Sequence, residues 1–158
     1  MVRPSFVLGG RAMEVAHVYR MLRHYVSAAV DVSPERHILI DKFLENAIEA
    51  EADAISDGRN AFVPAVMEHI EFAGIHSGDS ACVIPAVGIS PKLTHTIEDY
   101  VLQLAQALKI RGCFNLQFAV YQNTVYLLEV KPLAARSVAL VSKVCHVPLA
   151  EMGARLGL

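Results

Sequence analysis

The sequence is short of cysteine, short of charge and without a long apolar run, and each shortage excludes a class of protein. Cys82, Cys113 and Cys145 are odd in number and widely separated in 158 residues. They form neither a CxxC pair nor a zinc spacing, so reduced thiols in a cytoplasmic protein are expected, each as a small buried hydrophobe. No apolar stretch approaches the roughly 18 to 20 residues a membrane helix needs, and candidates such as Ile38–Leu39–Ile40 are strand-sized. The N-terminal Met1–Val2–Arg3–Pro4 has no apolar core of a signal peptide. There is no basic excess: Lys and Arg number 14, Asp and Glu 16, for a formal net charge of −2. Neither nucleic acid nor a membrane surface is therefore expected as a partner. Internal repeats and low-complexity segments are absent, and the histidines are scattered, with no HExxH pattern.

What is present is apolar. Hydrophobic residues make up 54% and charged residues 19%, with mean hydropathy +0.38. Such a chain offsets its ordering entropy by burial, and its length suits one domain spanning residues 1–158. The composition is more apolar than a free-standing monomer requires. It points to a missing neighbour, and self-association is the expectation.

Residues 3–12 read as a glycine-containing loop. Val15, Val18, Leu22, Tyr25, Val26, Ala29 and Val30 then fall at helical spacing, which predicts a helix over 14–30, closed by Ser33–Pro34. Residues 37–43 read as a short buried strand. Over 48–56, Glu49, Glu51 and Asp53 alternate with Ala50, Ala52 and Ala54, which predicts a strand with one acidic face. Asp57–Gly58 signals a turn, 61–67 a returning strand and 73–81 a polar loop. Ser90–Pro91 is a helix start, Leu93, Ile97, Tyr100, Val101, Leu104 and Leu108 mark a helix face, and Gly112 is the expected terminator. Strands over 113–121 and 125–131 form a hairpin, and short helices near 136–145 and 148–156 finish the chain. Helices flanking largely antiparallel strands give an α+β layout.

The hairpin carries the sharpest expectation. A three-residue loop pairs Tyr121 with Val125, hence Gln117 with Glu129 and Asn115 with Lys131. Two oxygen-bearing side chains then converge on one face, as Mg²⁺ binding requires. A solvated polar face fits the same spacing, and a two-residue turn would send Gln117 and Glu129 to opposite faces.

Taken together, several stretches resemble the large chain of carbamoyl phosphate synthetase, within its ATP-grasp module. They are Arg3-Pro-Ser-Phe-Val-Leu-Gly-Gly-Arg11, Asp41-Lys-Phe-Leu-Glu-Asn-Ala-Ile-Glu49 and Met67-Glu-His-Ile-Glu-Phe-Ala-Gly-Ile-His-Ser-Gly-Asp-Ser80, extended by Asn115-Leu-Gln-Phe-Ala-Val120, Leu128-Glu-Val-Lys-Pro132 and Ser142-Lys143. The similarity covers essentially the whole chain, and residues 67–80 are similar to the second synthetase unit, which phosphorylates carbamate. The resemblance implies an ATP-grasp sheet flanked by helices. It implies ATP with Mg²⁺ or Mn²⁺ as cofactors, and formation of carbamoyl phosphate for arginine and pyrimidine biosynthesis. It also implies the remaining synthetase domains and a glutaminase small chain as partners.

The resemblance also implies roles. Arg3 would contact nucleotide phosphates, and Gly9 and Gly10 belong to a phosphate-covering loop. Lys42 and Leu44 fall where a strand edge meets adenine, and Glu49 where a carboxylate accepts from the ribose hydroxyls. Gly74, Ile75, His76 and Ser77 match a nucleotide-contacting loop. Gln117 and Glu129 match metal ligands, and Arg136 an arginine of the phosphate side. His76 beside Ser77 and Asp79 lacks the setting of a hydrolytic nucleophile, and Gly9–Gly10 is neither a Walker A loop nor a GxGxxG fingerprint.

Two departures bear on catalysis. Where the family's metal loop reads Glu-Val-Asn-Pro-Arg, this chain reads Glu129-Val-Lys131-Pro132-Leu133. Lysine offers donors and a positive charge in place of a carbonyl oxygen. Leu133 removes a guanidinium, a change of the kind that costs about 10²- to 10³-fold in rate. The lobe that precedes Arg-Pro-Ser in the family is also expected to be missing. An ATP-dependent carbamate-phosphorylating ligase module and a catalytically impaired nucleotide-binding or regulatory module both fit, and the isolated chain is expected to be weak or inactive. A biotin carboxylase-like ligase is the third reading.

Overall fold

The computed structural model describes residues 1–4, 13–32, 37–75 and 79–157. These residues form two compact units, Met1–Leu44 and Glu45–Leu158. In the first, β1 (Val2–Pro4) pairs antiparallel with β2 (Ile38–Ile40), with Arg3 opposite Leu39, and helix α1 (Tyr19–Val32) packs against both strands. The helix starts later than its apolar spacing predicts. Glu14 is held extended by two backbone hydrogen bonds to Val2, of 2.8 and 3.1 Å, so residue 14 serves the strand instead. Residues 33–36, where the Ser33–Pro34 stop was expected, lie outside the described residues.

The second unit is an antiparallel sheet in the order β6-β5-β3-β7-β8 with β4 also on β3. Its strands are β3 (Ile48–Asp57), β4 (Ala61–Phe62), β5 (Val66–Phe72), β6 (Cys82–Val83), β7 (Arg111–Tyr121) and β8 (Thr124–Lys131). The returning strand expected over 61–67 is split into β4 and β5 around Pro64, which has no N–H to give a ladder. Central β3 is flanked by β5 and β7, so both its edges are paired.

One face is apolar. Ala50, Ala52 and Ala54 lie with Phe114, Leu116 and Phe118 of β7 under helix α2 (Pro91–Ala107), which contributes Ile97, Val101 and Ala105. The Ser90 hydroxyl accepts from Leu93 N–H at 3.4 Å, so the expected cap and Pro91 start are present. The helix does not run to Gly112. It ends at Ala107, with Lys109 in the left-handed region at φ 53°, and Gly112 belongs to β7. Helices α3 (Ser137–Cys145) and α4 (Leu149–Gly157) pack on the sheet through Val138, Val141 and Leu149 against Ile55 and Met67. Close approach of α4 to β7 depends on Gly153, where a Cβ would stand 2.6 Å from Cys113 Sγ. Cys113 and Cys145 are half-buried, but Cys82 is exposed on the outer strand β6, against the expectation of a buried thiol. Among the described residues no helix is long and apolar enough to cross a membrane.

The β7–β8 hairpin reaches the expected pairing by an unexpected route. Tyr121 pairs with Thr124, so the turn has two residues, Gln122 and Asn123, at φ 49° and 59°. Both signs are those of a type I′ turn. Continued without a break, that register would oppose Gln117 to Leu128. A bulge between the 118/127 and 117/129 pairs takes up one residue, and Gln117 faces Glu129 with Asn115 facing Lys131. A Gln122→Asn, Asn123→Gly double substitution suits this turn better and is expected to raise stability by about 0.5 to 1 kcal/mol. A urea midpoint that falls would show that the turn is not of this type.

Candidate functional site

The acidic alternation of β3 does not face water. Glu49, Glu51 and Asp53 are only 5%, 8% and 0% exposed, because β3 is central and its neighbours supply side chains to the same face. Asp53 is opposite Asn115, Glu51 opposite Gln117, and Glu49 opposite Ala119. From β5, Met67 pairs with Glu51 and brings His69 alongside. Buried carboxylates are tolerable only with hydrogen-bond donors at hand. The donors are present: Asn115 Nδ2 gives to Glu51 Oε1 at 2.6 Å and to Asp53 Oδ1 at 2.9 Å. Ser137 Oγ lies 3.4 Å from Glu51 Oε1, and His69 Nε2 3.1 Å from Glu51 Oε2.

Each titration follows from this arrangement. Burial pushes the Glu51 carboxyl up, but the His69, Asn115 and Ser137 hydrogen bonds and the nearby imidazole outweigh it and hold the group below its ordinary value. The hydrogen bond to Glu51 raises His69, against burial that works the other way. Burial raises Asp53. Burial also raises Glu49, opposed by His69 and by a hydrogen bond from the Gly74 N–H. The Glu51–His69 hydrogen bond thus favours the charged form of both partners, whereas burial disfavours the charged form of Glu49 and Asp53.

A cleft of about 610 Å³ opens on this face, lined among others by Glu51, His69, Asn115, Lys131, Arg136 and Ser137. Asn115 Oδ1 and His69 Nδ1 are buried without a hydrogen-bond partner among the described residues. Two residues that line the cleft thus carry unused polar capacity, which a ligand can satisfy. Arg136 stands exposed at the N-terminus of α3, where no side chain caps the helix, so a guanidinium and a helix dipole share one end of the cleft.

The residues singled out from the sequence are distributed as follows. Glu49 and Gly74 come together, and Gly74 at φ 113° is in a conformation that favours glycine. Ile75 is exposed next to it. Gln117 and Glu129 face each other, and Arg136 lines the cleft. Arg3, Lys42 and Leu44 belong to the first unit, where Arg3 pairs with Asp41 at 3.2 Å, Lys42 is exposed and Leu44 half-buried. Gly9, Gly10, His76 and Ser77 lie outside the described residues. Sequence reasoning passed over His69, Asn115 and Ser137 as site residues, although His69 and Asn115 both stand inside stretches it singled out.

The residues at Gln117 and Glu129 do not suit a resident divalent cation. Lys131 Nζ lies 3.1 Å from Glu129 Oε2, so an ammonium already holds the one carboxylate of the pair. Among the described residues no group of three or more His, Cys, Asp or Glu is placed to hold a metal ion.

Comparison with known proteins places the geometry in a family. The profile described as "Carbamoyl-phosphate synthase L chain, ATP binding domain" matches residues 1–158. The carbamoyl phosphate synthase large chain of Acidobacterium capsulatum is 52% identical over 156 residues, which is 99% of this chain and 14% of that protein. The corresponding chain of Archaeoglobus fulgidus gives the same identity and coverage. The "Carbamoyl phosphate synthase large chain, C-terminal section" of Aquifex aeolicus is 48% identical over 158 residues, or 100% of this chain and 29% of that one. The chain thus spans about a seventh of the full-length relatives. Among solved structures, a biotin carboxylase complex with β,γ-ATP from Campylobacter jejuni superposes with TM-score 0.81 at 16% identity, over 98% of this chain and 36% of that one. The fold is thereby the ATP-grasp arrangement of antiparallel sheet and helices, as the resemblance implied. Matched over its whole length, the chain belongs to the family of carbamoyl-phosphate synthase L chain ATP-binding domains.

Proposed function

We propose that this chain is the nucleotide-holding core of a carbamoyl phosphate synthetase-type ligase, forming one functional unit over residues 1–158. In this reading Glu49 accepts from the ribose hydroxyls, and Gly74, Ile75, His76 and Ser77 take the nucleotide-contacting role that the resemblance implies. Lys42 and Leu44 meet the adenine, and Arg3 with Gly9 and Gly10 covers the phosphates. Gln117 and Glu129 stand at the polyphosphate, and Arg136 assists transfer to carbamate at the end of the cleft. The reading draws most support from one observation: Gln117 faces Glu129 on the sheet face that also carries Glu49. The protein's part in such a transfer is positioning and charge neutralisation. Resemblance implies Mg²⁺ or Mn²⁺ at Gln117 and Glu129, but with Lys131 on Glu129 no step is assigned to a resident ion here.

The remaining synthetase domains and a glutaminase chain are the partners this reading brings with it, in the cytoplasm. Where those domains are missing, self-association would cover exposed apolar residues such as Ile70, Phe72 and Val87. Calorimetric titration with ATP tests the nucleotide reading. Glu49→Ala is expected to weaken ATP at least about tenfold, through loss of the carboxyl that accepts from the ribose hydroxyls. An unchanged affinity would remove Glu49 from the site. A second reading, a nucleotide-binding module with little or no turnover, is favoured by Lys131 and by Leu133, which lines the cleft without a charge. It predicts ATP binding with no ADP release.

A further inference from the structure

Lys131 stands two residues beyond Glu129 on the same strand and the same face, with Nζ 3.1 Å from Glu129 Oε2. Side-chain exposures of 33% and 53% leave this pair open to ligands. A divalent cation needs oxygen lone pairs around it. An ammonium supplies only donors, and here it sits on one oxygen of the same carboxylate with charge of the same sign. The two compete for one place, and the chain carries its own occupant. After its bond to Glu129, the ammonium has donors to spare, because it carries three N–H groups. Lys131 also lines the cleft, together with Arg136 and the uncapped amino end of α3. That end of the site is thus built from donors and positive charge, the complement of phosphate oxygens.

We propose that Lys131 is a built-in counter-ion that stands in for a divalent cation. It neutralises Glu129 and gives its remaining N–H groups to oxygens of a nucleoside polyphosphate. This chain then takes a nucleoside polyphosphate with no need of a divalent cation. This rests on the nucleotide-binding reading above and states which form of nucleotide that same site holds.

Calorimetric titration of the full chain with ATP, once in EDTA and once in excess Mg²⁺, tests it. Wild-type affinities are expected to agree within about threefold. Lys131→Asn is expected to lose at least about tenfold in EDTA, the worth of a charge-assisted hydrogen bond, and to recover most of it in Mg²⁺. Lys131→Arg keeps the metal-free affinity. Mn²⁺ added without nucleotide is read by its electron paramagnetic resonance signal. That signal is expected to fall on addition of Lys131→Asn and not on addition of the wild type. Wild-type binding that requires Mg²⁺ overturns this inference and leaves the nucleotide reading standing. An Asn variant whose metal response equals that of the wild type does the same. Absence of ATP binding in every condition overturns both.

Discussion

Asn115→Asp is expected to lower stability at neutral pH by about 3 to 5 kcal/mol, the range for leaving buried charge uncompensated. The side chain changes hardly at all in size. What changes is that one amide now serves two buried carboxylates, at 2.6 Å from Glu51 and 2.9 Å from Asp53, whereas the variant places a third carboxyl between them. Like charges at this spacing cannot all ionise, so the pKa of the group is raised in the folded state. A carboxyl whose folded pKa is raised costs stability as pH climbs through that value and regains it as pH falls. Urea unfolding near pH 5 is therefore expected to recover a large part of the loss measured near pH 7. Equal destabilisation at both pH values would mean that packing, not charge, governs the site.

His69→Leu comes next in size, with an expected loss of about 3 kcal/mol at slightly acidic pH. Glu51 keeps its hydrogen bonds from Asn115 and Ser137, which places the loss at the low end of the range for a broken buried pair. His69 is raised above its ordinary 6.5 by the hydrogen bond to Glu51. Its contribution is thus complete below about 6.5 and is lost as pH rises through the folded value. Glu51 is held below its ordinary 4.5, so its contribution is present above 4.5 and lost as pH falls through the lower folded value. The pair stabilises most between these limits. Wild type and variant should therefore differ most near pH 5 to 6 and converge toward alkaline pH, where only a neutral hydrogen bond remains to be lost. Urea midpoints across that range give the answer, and a gap that widens with pH would contradict the assignment of a charged His69.

Much of this site could be read from sequence because strand periodicity is local. Alternation put Glu49, Glu51 and Asp53 on one face and Asn115 with Gln117 on another, and both faces are as expected. It could not show that the two faces are the same one, since that depends on β3 lying between β5 and β7. An acidic stripe on an edge strand is solvated; on a central strand it must find donors, and His69 arrives only through the pairing of β5, itself irregular between Ile48 and Ala50. Local helix signals fared according to their tertiary surroundings. Ser90–Pro91 capped as expected, whereas the apolar spacing from Val15 was overridden near Glu14 by a bridge to Val2. Lys109 closes α2 although glycine is the usual residue for left-handed backbone, which is why Gly112 misled.

The β7–β8 bulge has a consequence for how the hairpin can change length. Between the turn at Gln122–Asn123 and the facing pair Gln117 and Glu129, one residue of β8 is unpaired. That residue makes the hairpin two segments with separate phase. Loss of a residue there shortens the outer strand yet leaves the inner pairs in step with β3. Deletion, ordinarily ruinous in a strand because every side chain changes sides, finds here a position where the side chains beyond it keep their faces.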